Sequence, residues 1–221
     1  MGKNLEQAVL EIIERHPEAI LKSLAEYQRQ QQMQQQQAQA AAIAEMKPQL
    51  EAMVRTAPAL GDVQTAKVTL IEFADFECPY CIQAHPALKQ FLSGHPQVAL
   101  IYKHFPLTDI HPDSLPAAKA VWAAGQQEKF WAFHDALFER QDKLNDNLYR
   151  AIAIQLKLNL EQFERDRQSE AATQAIAQDT QLANTLKIDG TPSFLVVDAH
   201  TVELVSGADF QALEARVQRP L

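Results

Sequence analysis

The hydrophobic positions of the chain change their period along its length. Leu5, Val9, Ile12 and Ile13 recur at helical spacing, and Ile20, Leu21, Leu24 and Tyr27 do so again. His16-Pro17 separates the two stripes, with Pro17 in the first turn of a second helix, where a missing N–H costs nothing. The tract QRQQQMQQQQAQAAAIAEM that follows holds good helix formers and neither Gly nor Pro. Residues 1–46 therefore read as a helical arm. Its apolar stripes have no partner nearby in sequence, so packing against copies of the same arm is expected; a disordered Gln-rich tail is the alternative.

Residues 47–66 read as a linker, punctuated by Pro48, Pro58, Gly61 and Asp62. Beyond it, VTLIEF (68–73) is a run of strand formers, PYCIQAHPALKQFLSG (79–94) carries a helical stripe, and QVALIYKHF (97–105) reads as a second strand. From His111 to about Ile188 the period is helical almost throughout, with breaks at Gly125, Asn145-Asp146 and Asn159; Asn159 with Gln162 resembles a capping pair. SFLVVD (193–198) and TVELVS (201–206) then predict two strands, and ADFQALEARVQ a closing helix. The expected fold class is α/β. Residues 67–110 and 187–221 form one domain, β-α-β followed by β-β-α, and residues 111–186 form a helical insertion within it.

Composition narrows what such a chain can do. A length of 221 residues with 47% hydrophobic residues supports a sizeable core. The net charge of −8, without a basic stripe, argues against a nucleic-acid partner. No apolar run is long enough for a membrane span. Glu6, Glu11 and Glu14 stand where the apolar core of an export signal would lie, so none is read in these residues.

The chain has two cysteines, Cys78 and Cys81, in FECPYCIQAH. A zinc site would need two more ligands; His85 supplies one at C-x2-C-x3-H spacing, but no further Cys exists, so no metal and no cofactor are expected. Dithiol-disulfide exchange fits better. If Pro79 opens a helix, Cys78 caps it, and the free N–H groups and positive dipole end stabilise a thiolate there. A free thiol, with its pKa of about 8.5, is only a few per cent ionised at neutral pH. Cys81, one turn on, keeps its proton longer. Cys78 is then expected to attack and Cys81 to resolve the mixed disulfide. Thr191-Pro192, between Gly190 and a strand, is a natural place for a cis bond. Phe130, Trp131, Phe133, Leu137 and Phe138 sit at helical spacing and read as core.

A strand, CPYC at a helix start, a second strand, a helical insertion, Thr-Pro, a hairpin and a helix together resemble the DsbA-like branch of the thioredoxin superfamily. FADFECPYC and YKHFPL (102–107), followed by His111-Pro112, look like family segments, and the likeness spans residues 62–218 or so. The resemblance implies a thioredoxin fold in which the cis-proline loop lies beside the CxxC, so that Thr191, Pro192, Pro79 and Tyr80 contact substrate. It also implies that Glu72, six residues before Cys78, and Lys103 on the adjacent strand act as a pair that handles the proton of Cys81. Tyr80 within the motif and Thr191 before the proline are like isomerase-type relatives, and the N-terminal arm is similar to that of the oligomeric ScsC-type subgroup. The implied activity is thiol:disulfide exchange on protein substrates, leaning towards disulfide isomerase, in a periplasmic homo-oligomer served by a membrane redox partner. A monomeric dithiol oxidase, a glutaredoxin-like reductase and a non-enzymatic metal-binding or thiol-chaperone protein are the alternatives.

Overall fold

The computed structural model describes residues 2–56 and 59–219. It divides into two compact units, Met1–Ala41 and Ala42–Leu221. Helix α1 (Gly2–Arg15) ends at His16, and α2 (Pro17–Thr56) starts at the proline. In the first unit Leu5, Val9, Ile12, Ile13, Ile20, Leu21, Leu24 and Tyr27 are all exposed.

The expected linker differs from what is found. Residues 47–56 continue α2, with Pro48 inside it. Gln49, Leu50, Ala52 and Met53 are good helix formers, and the stripe Ile43, Met46, Leu50 and Met53 packs into the core of the second unit. Burial of that stripe outweighs the single backbone hydrogen bond that Pro48 removes. Of the remaining linker, Pro58 lies outside the described residues, and Ala59–Leu60 form a short strand, β1, that sequence patterning cannot reveal at two residues. Gly61 follows with φ +89°, close against β-strand backbone: a Cβ there would stand 3.3 Å from the carbonyl oxygen of Val98.

The rest of the second unit follows the expected order. Strand β2 (Val68–Ala74), helix α3 (Pro79–Gly94) and strand β3 (Val98–His104) form the β-α-β half. Helices α4 (Ser114–Gly125), α5 (Phe130–Phe138), α6 (Asp146–Gln155), α7 (Leu160–Arg167) and α8 (Glu170–Thr185) follow, with a 3-10 turn at Gln141–Lys143. Strands β4 (Ser193–Val197) and β5 (Val202–Ser206) and helix α9 (Phe210–Val217) complete the chain. Side chains cap several of these helices: Asn145 accepts from Leu148 N, Asn159 from Gln162 N, Ser169 from Ala172 N and Asp209 from Ala212 N.

The sheet order is β1-β3-β2-β4-β5, with β2 and β3 parallel and the other neighbours antiparallel. Every residue of β2 is buried because both sheet faces are covered. On one face Leu70, Leu100, Phe194 and Val196 meet Leu88 and Phe91 of α3 and Leu213 of α9. On the other, Ile71, Phe73, Ile101 and Leu195 meet Ile43 and Leu50 of α2, Ala183 of α8 and Leu186 just past its end. A third cluster fills the insertion, where the alanines of α4 let α5 and α7 approach closely around Phe133, Leu137 and Phe163. Phe76, Cys78, Cys81 and Tyr102 belong to that third cluster, so the cysteine pair lies at the seam between sheet and insertion.

Candidate active site

Cys78 is the N-cap of α3 (φ −70°, ψ 122°), and Pro79 opens the helix. Both cysteines are thiols and both are buried, Cys78 at 3% and Cys81 at 1% exposure. The backbone of Cys78 is fixed from three directions: its carbonyl accepts from Cys81 N at 3.1 Å, from Ile82 N at 3.2 Å and from the side-chain Nε2 of Gln141 at 2.8 Å. Its Sγ donates to the Thr191 carbonyl at 3.4 Å, and the Thr191-Pro192 bond is cis. Thr191 Oγ1 is buried without a hydrogen-bond partner among the described residues, which leaves it free to donate once Cys78 ionises.

The two thiols differ sharply in acidity. The thiol of Cys78 is lowered to about 5, chiefly by a hydrogen bond from the Cys81 thiol; burial opposes this, and the Thr191 side chain and the N–H groups of Cys81 and Tyr80 add to it. Cys81 is pushed far above the ordinary thiol range by burial, then by its hydrogen bond to Cys78 and the charge beside it. Tyr80 is 67% exposed and Pro79 is exposed as well, so both flank the dithiol on its solvent side.

Glu72 lies buried at 3% exposure, and burial pushes its carboxyl up to about 8. Its Oε2 has no hydrogen-bond partner among the described residues, and its charge raises Cys81 further. The expected pairing with Lys103 does not occur. In the parallel register Glu72 faces Tyr102 and Lys103 faces Phe73, so the two-residue period of the strands sets Glu72 and Lys103 on opposite faces of the sheet. Lys103 instead pairs with Asp179 of α8 at 2.8 Å, and Asp179 also accepts from His104 N at 3.1 Å. Residue counting along adjacent strands places the two side by side but does not reveal the face.

Three further residues brace the motif. Asp75, fully buried, accepts from Glu77 N at 2.8 Å with one oxygen; the other accepts from Leu107 N at 2.9 Å and binds His111 Nδ1 at 2.7 Å. Glu77 accepts from Asp113 N at 2.6 Å. Asp75 and Glu77 thereby strap the turn before Cys78 to the 107–113 loop. An Asp two residues before a turn N–H is an Asx-turn signal that could have singled out Asp75. Gln141, 63 residues from Cys78, carries no such local signal. His111, which lacks catalytic spacing to other sequence candidates, owes its place to the loop that returns it to Asp75.

Thiols of such unequal acidity, held beside a cis Thr-Pro bond on a sheet of this topology, are suited to passing a disulfide to or from another molecule. The fold is a thioredoxin fold interrupted by a helical insertion. A family model described as "DSBA-like thioredoxin domain" matches residues 69–218, and the chain belongs to that family. Among curated relatives, the Na(+)/H(+) antiporter NhaA 3 of Salinispora tropica is 38% identical over 160 residues, which is 70% of this chain but only 24% of the antiporter. A solved thioredoxin-like oxidoreductase from Silicibacter pomeroyi is 37% identical, with a TM-score of 0.64 over 75% of this chain and 94% of its own. Proteus mirabilis ScsC, in a transitional conformation, is 26% identical with a TM-score of 0.64, covering 98% of this chain and 93% of its own. Among the described residues no helix is long and apolar enough to cross a membrane.

Proposed function

We propose that the chain exchanges disulfides with protein substrates and works as a disulfide isomerase in the periplasm, as a homo-oligomer joined through residues 1–46. The observation that carries the chemistry is the split in acidity between Cys78 and Cys81. The Cys78 thiolate attacks one sulfur of a substrate disulfide; a Cys78–substrate disulfide forms and the other substrate sulfur leaves as a thiolate. In isomerisation a different substrate thiolate then attacks the substrate sulfur of the mixed disulfide and releases Cys78 unchanged, with no net oxidation. Alternatively Cys81 loses its proton, attacks Cys78 Sγ and expels the reduced substrate, leaving a Cys78–Cys81 disulfide for a membrane redox partner to reset.

Glu72 handles the proton at Cys81. Protonated over most of the neutral range, it gives a proton to Cys81 when that sulfur leaves; ionised, it takes the proton when Cys81 attacks. Thr191 and Pro192 present the backbone edge that an extended substrate pairs with, while Pro79 and the exposed Tyr80 contact its side chains. Lys103 has no part in the exchange on this reading; it is a structural ion pair with Asp179.

Support for an oligomer is the exposed apolar stripe of the arm, which a single chain leaves unburied. The test is a direct comparison of two rates for the full-length chain: reactivation of a test protein with scrambled disulfides, and oxidation of a dithiol peptide. Reactivation that needs Cys78 but tolerates Cys81→Ala supports the isomerase reading. Rapid peptide oxidation without reactivation would make it an oxidase.

A further inference from the structure

One cluster of ligating side chains lies outside the dithiol chemistry. His85 of α3 stands one turn beyond Cys81 on the same buried face, and His134 and Asp135 belong to α5 of the insertion. One ligating atom from each of the three falls within 4.8 Å of the other two. His134 Nδ1 lies 3.0 Å from Asp135 Oδ1, and His85 Nε2 lies 3.5 Å from the same oxygen. The sequence spacing offers His85 as a ligand only alongside the cysteines; the fold gives it different partners.

Both imidazoles are short of partners. His85 Nε2 and His134 Nε2 are buried with no hydrogen bond among the described residues, and the rings are 8% and 1% exposed. A buried polar nitrogen without a hydrogen bond is costly, so two at one place need an explanation. Asp135 is 35% exposed, which supplies both a negative ligand and a way in from solvent.

We propose that His85, His134 and Asp135 form a site for a divalent transition-metal cation, with zinc the best match to a donor set of two imidazoles and one carboxylate. Three protein ligands leave one coordination position to water. A bound ion would staple the helix that carries the dithiol to the inserted helical domain. Lys89 limits its affinity: its Nζ lies 2.7 Å from Asp135 Oδ2, a fixed positive charge that competes with the cation for the same carboxylate. The site is therefore expected to bind zinc at micromolar rather than nanomolar concentrations.

The test uses full-length chain carrying Cys78→Ser and Cys81→Ser, so that thiolate cannot take up metal, titrated with zinc sulfate by calorimetry and by thermal melting. One equivalent per chain, with a rise in Tm, is expected. Asp135→Asn should weaken binding about tenfold or more. Lys89→Met, at a half-exposed position, should tighten it several-fold, an effect that a merely structural polar cluster would not produce. His134→Gln should abolish it; because that ring is buried, its folding is checked by circular dichroism, and the decisive variants are Asp135→Asn and Lys89→Met. Absence of uptake at about 100 µM zinc, or isotherms indifferent to both of those substitutions, would overturn the proposal.

Discussion

The side-chain amide of Gln141 donates a 2.8 Å hydrogen bond to the backbone carbonyl of Cys78, 63 residues earlier. It joins the 3-10 turn of the inserted helices to the residue that caps α3. The same carbonyl already receives Cys81 N and Ile82 N, so the amide fixes its direction rather than satisfying an orphan acceptor. Gln141→Ala should therefore cost only about 1 kcal/mol of stability in the reduced protein. Gln141→Glu should cost more, because a carboxylate would face the carbonyl without a proton to donate. Urea denaturation of both variants checks this, and equal effects from the two would mean that the bond does not form in solution.

Cys78 should react as a strong acid among thiols. Its alkylation rate by iodoacetamide should rise with a midpoint of about pH 5 and level off above it. Cys81→Ala removes the largest cause of that acidity, so the midpoint should move up towards the ordinary thiol value of about 8.5. The sign for stability follows from the lowered value. Stability of the reduced protein that comes from the thiolate is complete above the unfolded thiol's pKa and is lost as pH falls through about 5. A Cys81→Ala midpoint unchanged from that of the parent would refute the role of the second thiol.

How much of this is legible in the sequence depends on the range of the interaction. The β-α-β and β-β-α halves follow from strand and helix periods, and the cis Thr191-Pro192 bond from a Thr-Pro set between Gly190 and a strand. Those are local signals. The 47–66 segment misleads because Pro48 reads as a break, whereas Leu50 and Met53 continue the buried stripe of Ile43 and Met46. Glu72 and Lys103 mislead in another way: proximity in strand order holds, but one residue of register separates their faces. Gln141 is invisible because nothing in its own turn marks the contact it makes.

Glu72 gives a pH dependence of the opposite sign to that of Cys78. Its carboxyl holds a proton up to about pH 8 in the folded chain but only to about 4.3 once unfolded. Between those values the native state binds more protons, so this group makes stability fall as pH rises. Glu72→Gln should flatten that slope and stabilise the protein by roughly 1–3 kcal/mol at pH 8, less whatever the buried amide loses. It should also slow the step in which Cys81 attacks or leaves. Denaturation at pH 5 and pH 8 checks the first point, and a slope unchanged by the substitution would be inconsistent with a buried, protonated Glu72.

Lys103 should prove structural. Lys103→Met leaves Asp179, which burial already raises above its ordinary value, without the cation that holds it down. A loss of about 3 kcal/mol is expected for a half-removed buried pair, moderated by the His104 N–H that Asp179 keeps. The alkylation midpoint of Cys78 should not move. If Lys103→Met instead shifts that midpoint or the rate of Cys81 attack with little loss of stability, the lysine acts at the dithiol after all.

The arm offers the sharpest division between two nearby truncations. Leu5, Val9, Ile12, Ile13, Ile20, Leu21 and Leu24 are exposed in the single chain, and burying each between copies would contribute roughly 1.5–3 kcal/mol. The chain should therefore be oligomeric by light scattering at tens of micromolar (about the range in which weak association appears). Deleting residues 1–41 removes one compact unit and leaves the other whole, so it should yield a monomer with full stability and an unchanged Cys78 midpoint. Reactivation of scrambled substrate should fall, while oxidation of a dithiol peptide persists, because neighbouring active sites no longer share one substrate. Deleting residues 1–46 goes five residues further and takes Ile43 and Met46 out of the core packed on Ile71, Phe73 and Leu195. That variant should be less stable than the shorter deletion by about 2–5 kcal/mol, the usual cost of emptying a buried aliphatic site. Equal stability of the two would show that α2 does not dock where its apolar stripe places it, and a full-length chain already monomeric would remove the arm from the isomerase reading.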